Sequence, residues 1–197
     1  MPRDGEESGD LGALLLAARD DEAAAAAFVR ALQPSVWRFV ASLLGPRTPE
    51  HDIAEVVQET FVRTLTGRSR WRGDASATTW VLAIARRCVA DHLSGLTRRR
   101  AREGVLDESL HDVPTADLTS SVELADLIAR LGDDRREAFV LTQALGLSYA
   151  EAAEVCGVPI GTIRSRVARA RADLVEAYAP TEDTVVEAPR RRMMRRR

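Results

Sequence analysis

Residues 148–171 constrain the fold of this chain more than any other stretch. Ser148 is placed to cap a helix, and Glu151, three residues on, completes a capping box with it. Gly157 gives the backbone the freedom to leave that helix. Pro159 stands where a second helix begins, with φ already set and no amide proton to leave unpaired. A short helix, a three-residue turn and a second helix form a helix-turn-helix.

The phase of the second helix separates its faces. At about 100° per residue, Ile160, Ile163, Val167, Ala170 and Leu174 share one side and predict its packed face. Thr162, Ser165, Ala168 and Arg169 fall on the other side, with Arg164, Arg166 and Arg171 on the flanks. Residues 160–171 hold four Arg and no acid. Small residues allow close approach to a major groove, one Arg can read base edges, and flanking cations suit phosphates. A basic amphipathic surface helix would show the same charge. It would not require the cap, the turn and the phase together, so duplex DNA is the expected ligand.

The rest of the chain reads as all-α. Helices are expected over residues 11–19 and 21–44, the second interrupted by Pro34. Thr48 is expected to cap the next helix, where Ile53, Val57, Phe61 and Leu65 form an apolar stripe. A loop rich in Arg, Trp and Gly follows, and Ser76 opens a mostly apolar helix to about residue 96. Further helices are expected at about 121–131, 134–145, 148–156 and 160–178. The organisation is two small helical domains, 11–96 and 121–179, joined by a flexible linker over 97–120. Residues 1–10, acidic and Gly-rich, and 180–197, with an Arg-rich end, read as disordered tails.

Charge is distributed unevenly. The chain has 28 basic residues, all Arg, against 30 acids, a net charge of −2. Residues 68–102 carry nine Arg and two acids, whereas residues 50–60 carry four acids and no Arg. Such a chain can present different surfaces to different partners. Cys88 and Cys156 sit among apolar residues and read as buried thiols. Neither they nor the three His have metal-ligand spacing, so no metal or cofactor is expected. No Ser-His-Asp set, Cys-His set or Gly-rich phosphate loop stands out, so no enzymatic activity is expected. No apolar run reaches the ~20 residues of a membrane span. A cytoplasmic protein without membrane insertion is expected.

The chain resembles the small extracytoplasmic-function sigma factors of bacterial RNA polymerase. Tyr149, Glu151, Ala153, Gly157, Pro159, Gly161, Thr162, Ser165, Arg166, Arg169 and Ala170 match the family's C-terminal block. Residues 52–61, from Asp52-Ile53-Ala54-Glu55 to Gln58-Glu59-Thr60-Phe61, resemble its "D-x-x-Q-E-x-F" helix. Residues 71–85, including Trp71, Gly73, Ala75-Ser76, Thr79-Trp80 and Ile84-Ala85, are similar to the block that follows it. The chain departs from the family at Arg87, where Asn is frequent, and at Ser94, where Arg is frequent.

The resemblance implies a protein that binds core RNA polymerase and directs it to chosen promoters. Thr162, Arg164, Ser165, Arg166, Ala168, Arg169 and Arg171 would read the upstream, −35, element. Arg68, Arg70, Trp71, Arg72, Ser76, Thr79, Arg86 and Arg87 would engage and open the start-proximal, −10, element. Aromatic rings among cations suit exposed bases and phosphates. Trp71 lies in the loop and is the better stacking candidate; Trp80 phases with Ile84 and reads as core. Asp52, Glu55, Gln58, Glu59 and Val62 would dock on the polymerase clamp. An anti-sigma partner is common in the family. Two rival readings are a free-standing helix-turn-helix regulator, which leaves the N-terminal block unused, and an adaptor that mimics a sigma factor, which has no need of the recognition-helix Arg pattern.

Overall fold

The computed structural model describes residues 4–103 and 120–178. Among these residues the architecture is helical, with no strand. The helices are α1 (Asp4–Ala17), α2 (Glu22–Leu44), α3 (Glu50–Gly67), α4 (Ala77–Glu103), α5 (Ser120–Arg130), α6 (Asp133–Phe139), α7 (Tyr149–Cys156) and α8 (Ile160–Tyr178). A 3-10 turn at Arg68–Arg70 follows α3, and a π turn at Val140–Ala144 follows α6.

The first half packs because α2, α3 and α4 each carry an apolar stripe. Phe28, Leu32, Val36, Phe39 and Val40 of α2 meet Ile53, Val57 and Phe61 of α3, and Val81, Leu82, Ala85 and Val89 of α4. Phe28 and Phe39 are fully buried, each side chain contributing about 2–3 kcal/mol of transfer free energy. The Asp21 side chain accepts from the Ala23 amide at 2.8 Å and caps α2. The helix runs on through Pro34 to Leu44. In the second half, Ala138, Leu141, Ala152, Val155, Ile163 and Val167 bring α6, α7 and α8 together.

Three expectations need correction. Helix α1 begins at Asp4, so residues 4–10 are helical rather than a disordered tail. Helix α4 extends to Glu103, taking the first residues assigned to the linker. Thr48 does not cap α3; its hydroxyl donates to the Leu44 carbonyl at 2.9 Å, and Pro49 occupies the cap position. The two helical halves expected from the sequence are in contact: α4 packs on α7, and α2 on α6, through one continuous core. Residues 104–119 of the expected linker and the tail over 180–197 lie outside the described residues. Among the described residues, no helix is long and apolar enough to cross a membrane.

Candidate nucleic-acid interface

The helix-turn-helix is built as its sequence dictates. Glu151 Oε2 accepts from the Ser148 amide at 2.9 Å, and Ser148 Oγ accepts from the Glu151 amide at 3.2 Å. Gly157 lies in the left-handed region, with φ 66° and ψ 36°, which a side chain would resist. Helix α8 then buries Ile163, Val167 and Ala170, fixing its rotation against α6 and α7. Leu174 is half-buried. Ile160, expected on that inner face, is 39 % exposed, because it precedes the first packed turn.

That rotation leaves Arg164, Ser165, Ala168 and Arg169 exposed and Thr162 half-buried. Ser165 Oγ donates to the Thr162 carbonyl at 2.9 Å, which keeps its profile low. Two flanking guanidinium groups are engaged by the protein itself. Arg166 is only 18 % exposed and donates to Asp134 of α6 at 2.6 Å, so it braces α8 rather than facing a groove. Arg171 donates to Gln143 Oε1 at 2.7 Å but remains exposed. Asp134 lies 32 residues from Arg166, a pairing that helical spacing does not reveal.

The loop after α3 differs more from the sequence expectation. Trp71 is not a free ring. It is half-buried, packs on the first-half core, and donates from Nε1 to the Ala75 carbonyl at 3.1 Å. Arg68 is also tied down, donating to the carbonyls of Leu65 and Arg19. Thr79 is 2 % exposed and cannot touch DNA as assigned. Its amide donates to Ser76 Oγ at 3.1 Å, so the Ser76–Thr79 pair caps α4. Arg70, Arg72 and Arg87 are exposed. Trp80 is half-buried against the core.

Arg86 is committed across the two halves. Its Nε donates to Glu137 Oε1 at 2.6 Å, and the Glu137 side chain is 6 % exposed. Burial works against the Arg86 charge, but the bond to Glu137, the charge of that carboxylate and the nearby Cys156 and Asp134 together raise the guanidinium pKa. Nearby Cys156 is buried, and loss of solvent, then the Glu137 charge, pushes its thiol up to about 12. Burial also pushes up the Cys88 thiol. These cysteines therefore stay protonated at neutral pH. Among the described residues, no cluster of His, Cys, Asp and Glu is placed to hold a metal.

The acidic helix α3 exposes Glu55, Gln58 and Val62, with Asp52 and Glu59 half-buried. Asp52, Glu55 and Glu59 line a groove of about 290 Å³ between α3 and α4 that also includes Arg63, Asp91 and His92. Arg63 bridges Glu59 and Asp91, each at 2.6 Å, and those two carboxylates raise its pKa. Arg63 was absent from the expected surface, although its spacing four residues after Glu59 is an ion-pair signal.

Comparison with known proteins gives matches in both halves. The Sigma-70 region 2 family model matches residues 28–99, and the Sigma-70, region 4 model matches residues 121–174. The chain is 46 % identical over 176 residues to the ECF RNA polymerase sigma factor SigC of Mycobacterium tuberculosis, covering 86 % of this chain and 91 % of that one. It is 35 % identical over 146 residues to the ECF RNA polymerase sigma-E factor of Haemophilus influenzae, covering 67 % of this chain and 77 % of that one. Among solved structures, it is similar to the sigma factor RpoE in complex with the anti-sigma factor NepR from Bartonella quintana. The TM-score there is 0.58, with 29 % identity over 75 % of this chain and 92 % of that one.

Proposed function

The chain belongs to the extracytoplasmic-function sigma factors of the sigma-70 family, and we propose how its surfaces divide the work of starting transcription. It binds core RNA polymerase and directs it to a subset of promoters. Helix α8 enters the major groove of the upstream element, with Arg169 at base edges, Ser165 and Ala168 in close approach, and Arg164 on a phosphate. The observation that carries this reading is the exposed face of α8, set by a capped turn and by the burial of Ile163, Val167 and Ala170.

The first half performs the other two tasks. The acids of α3, Asp52, Glu55 and Glu59, with Gln58 and Val62, dock on the polymerase. The loop after α3 and the start of α4 engage the opened start-proximal strand through Arg70, Arg72 and Arg87. Arg86 joins them on release from Glu137, whose carboxylate competes with a phosphate for the same guanidinium charge. Arg68, Trp71, Ser76 and Thr79 act behind this surface, not on it. The chain makes no bond itself: binding energy selects and opens the promoter, and the polymerase supplies phosphoryl transfer. This work places it in the cytoplasm, with the polymerase and the chromosome. The Bartonella structure is a complex with an anti-sigma factor, and a comparable inhibitor is the regulatory partner expected here.

Docking is tested by pulldown of core polymerase. Replacing Asp52, Glu55 and Glu59 with Arg should abolish capture while helical content by circular dichroism stays unchanged. Normal capture by a folded triple variant would exclude this face.

A further inference from the structure

Gly12 lies within α1 and is buried. A Cβ at this position would sit 2.9 Å from Cη2 of Trp71, with Cζ2 and Cζ3 of the same ring at 3.7 and 3.8 Å. Non-bonded carbons do not rest at the shortest of these separations. Glycine weakens a helix interior relative to alanine, and the close approach of the indole accounts for its presence here. The ring has little room to yield, because its other edge is tied through Nε1 to the Ala75 carbonyl at 3.1 Å. A second tether holds the same loop: Arg68 Nη2 donates to the carbonyl of Arg19, in the turn after α1, at 3.3 Å. Arg70 and Arg72 remain exposed on the loop so held.

We propose that α1 is a positioning element for the start-proximal loop, with Gly12, Trp71 and Arg68 as positioning residues that do not touch DNA. The packed indole fixes the loop backbone against α1, and the Arg68–Arg19 bond fixes it against the following turn. Arg70 and Arg72 are thereby presented to the opened strand without a further ordering cost at the moment of binding. This rests on the reading that the loop engages that strand.

The test uses the full chain with core polymerase, and permanganate reactivity on a duplex promoter reports opening. Thermal melting and binding of the duplex upstream element report the integrity of each half. By helix propensity alone, Gly12→Ala stabilises α1. The proposal expects it instead to reduce opening at least about fivefold, the size of losing one Arg hydrogen bond to the strand, and to alter base preference at the start-proximal element. Upstream binding should be unchanged. Trp71→Phe removes the ring edge that meets the new Cβ, so adding Gly12→Ala to it should cause no further loss. If Gly12→Ala proves unstable, Arg68→Ala cuts the second tether without altering α1 and should reduce opening in the same way.

Normal opening by a folded Gly12→Ala, or losses from Gly12→Ala and Trp71→Phe that multiply independently, would overturn the proposal. The paired Arg70→Ala/Arg72→Ala variant keeps the two levels apart. Normal opening by that pair removes the loop from the mechanism and the proposal with it. A defective pair beside an unimpaired Gly12→Ala defeats the positioning claim alone.

Discussion

Arg86→Ala should destabilise the joined halves and do so through Glu137. The variant leaves a carboxylate that is 6 % exposed without its cation. Breaking a buried ion pair from one side costs about 3–5 kcal/mol. Arg86 itself is 40 % exposed, so solvent replaces part of the lost interaction, and about 1–3 kcal/mol is the reasonable range. At this chain length, roughly 2–4 °C of melting temperature corresponds to each kcal/mol. Glu137→Gln keeps the shape and one acceptor, and should cost about 1 kcal/mol. Urea unfolding of both single variants and the double variant gives the coupling. The double variant should be more stable than the sum of the singles predicts, by about 1 kcal/mol or more. Additivity to within about 0.5 kcal/mol would refute a functioning pair. The same cycle reads function. Glu137→Gln releases Arg86, so binding to a forked start-proximal fragment should tighten and its salt dependence steepen by about one counterion. Arg86→Ala should weaken that binding.

Ser148→Ala should cost about 1 kcal/mol in urea unfolding through loss of the capping box, and Gly157→Ala about 1–2 kcal/mol through its left-handed backbone. Arg169→Ala should relax base preference in the upstream element with a loss of roughly 1–3 kcal/mol, measured by competition binding across altered sites. Arg166→Ala should instead lower the melting temperature, because it unbraces α8 from Asp134. Burial raises the folded Cys156 thiol to about 12, above the free value near 8.5. The stability linked to its protonated form is therefore complete below about pH 8.5 and lost as pH rises toward the folded value. Melting curves across that window should be flatter for Cys156→Ala than for the unaltered chain.

Local signals were readable in the chain and distant pairings were not. The box at Ser148, the turn at Gly157 and the inward phase of Ile163, Val167 and Ala170 depend on neighbours within a few residues, and the structure forms them as read. Trp71 shows the limit. In sequence it lies among Arg and Gly, which suggests a solvent-facing ring, but its packing partner Gly12 belongs to another helix. The start of α1 was hidden by composition, since an acidic, Gly-containing stretch reads as a tail. Arg86 reads in sequence as a cation for the start-proximal element, yet Glu137, 51 residues away, takes it. Periodicity identifies which face of a helix is apolar, not which element will cover the other.

The central claim is tested most directly by transcription from candidate promoters with purified core polymerase, in the presence and absence of this chain. Promoter-specific transcripts are expected only when the chain is added, and are lost on replacing Asp52, Glu55 and Glu59 with Arg. Retained promoter-specific initiation by that triple variant would contradict the docking surface. A failure of the unaltered chain to support initiation on promoters that its second half binds would contradict the account as a whole.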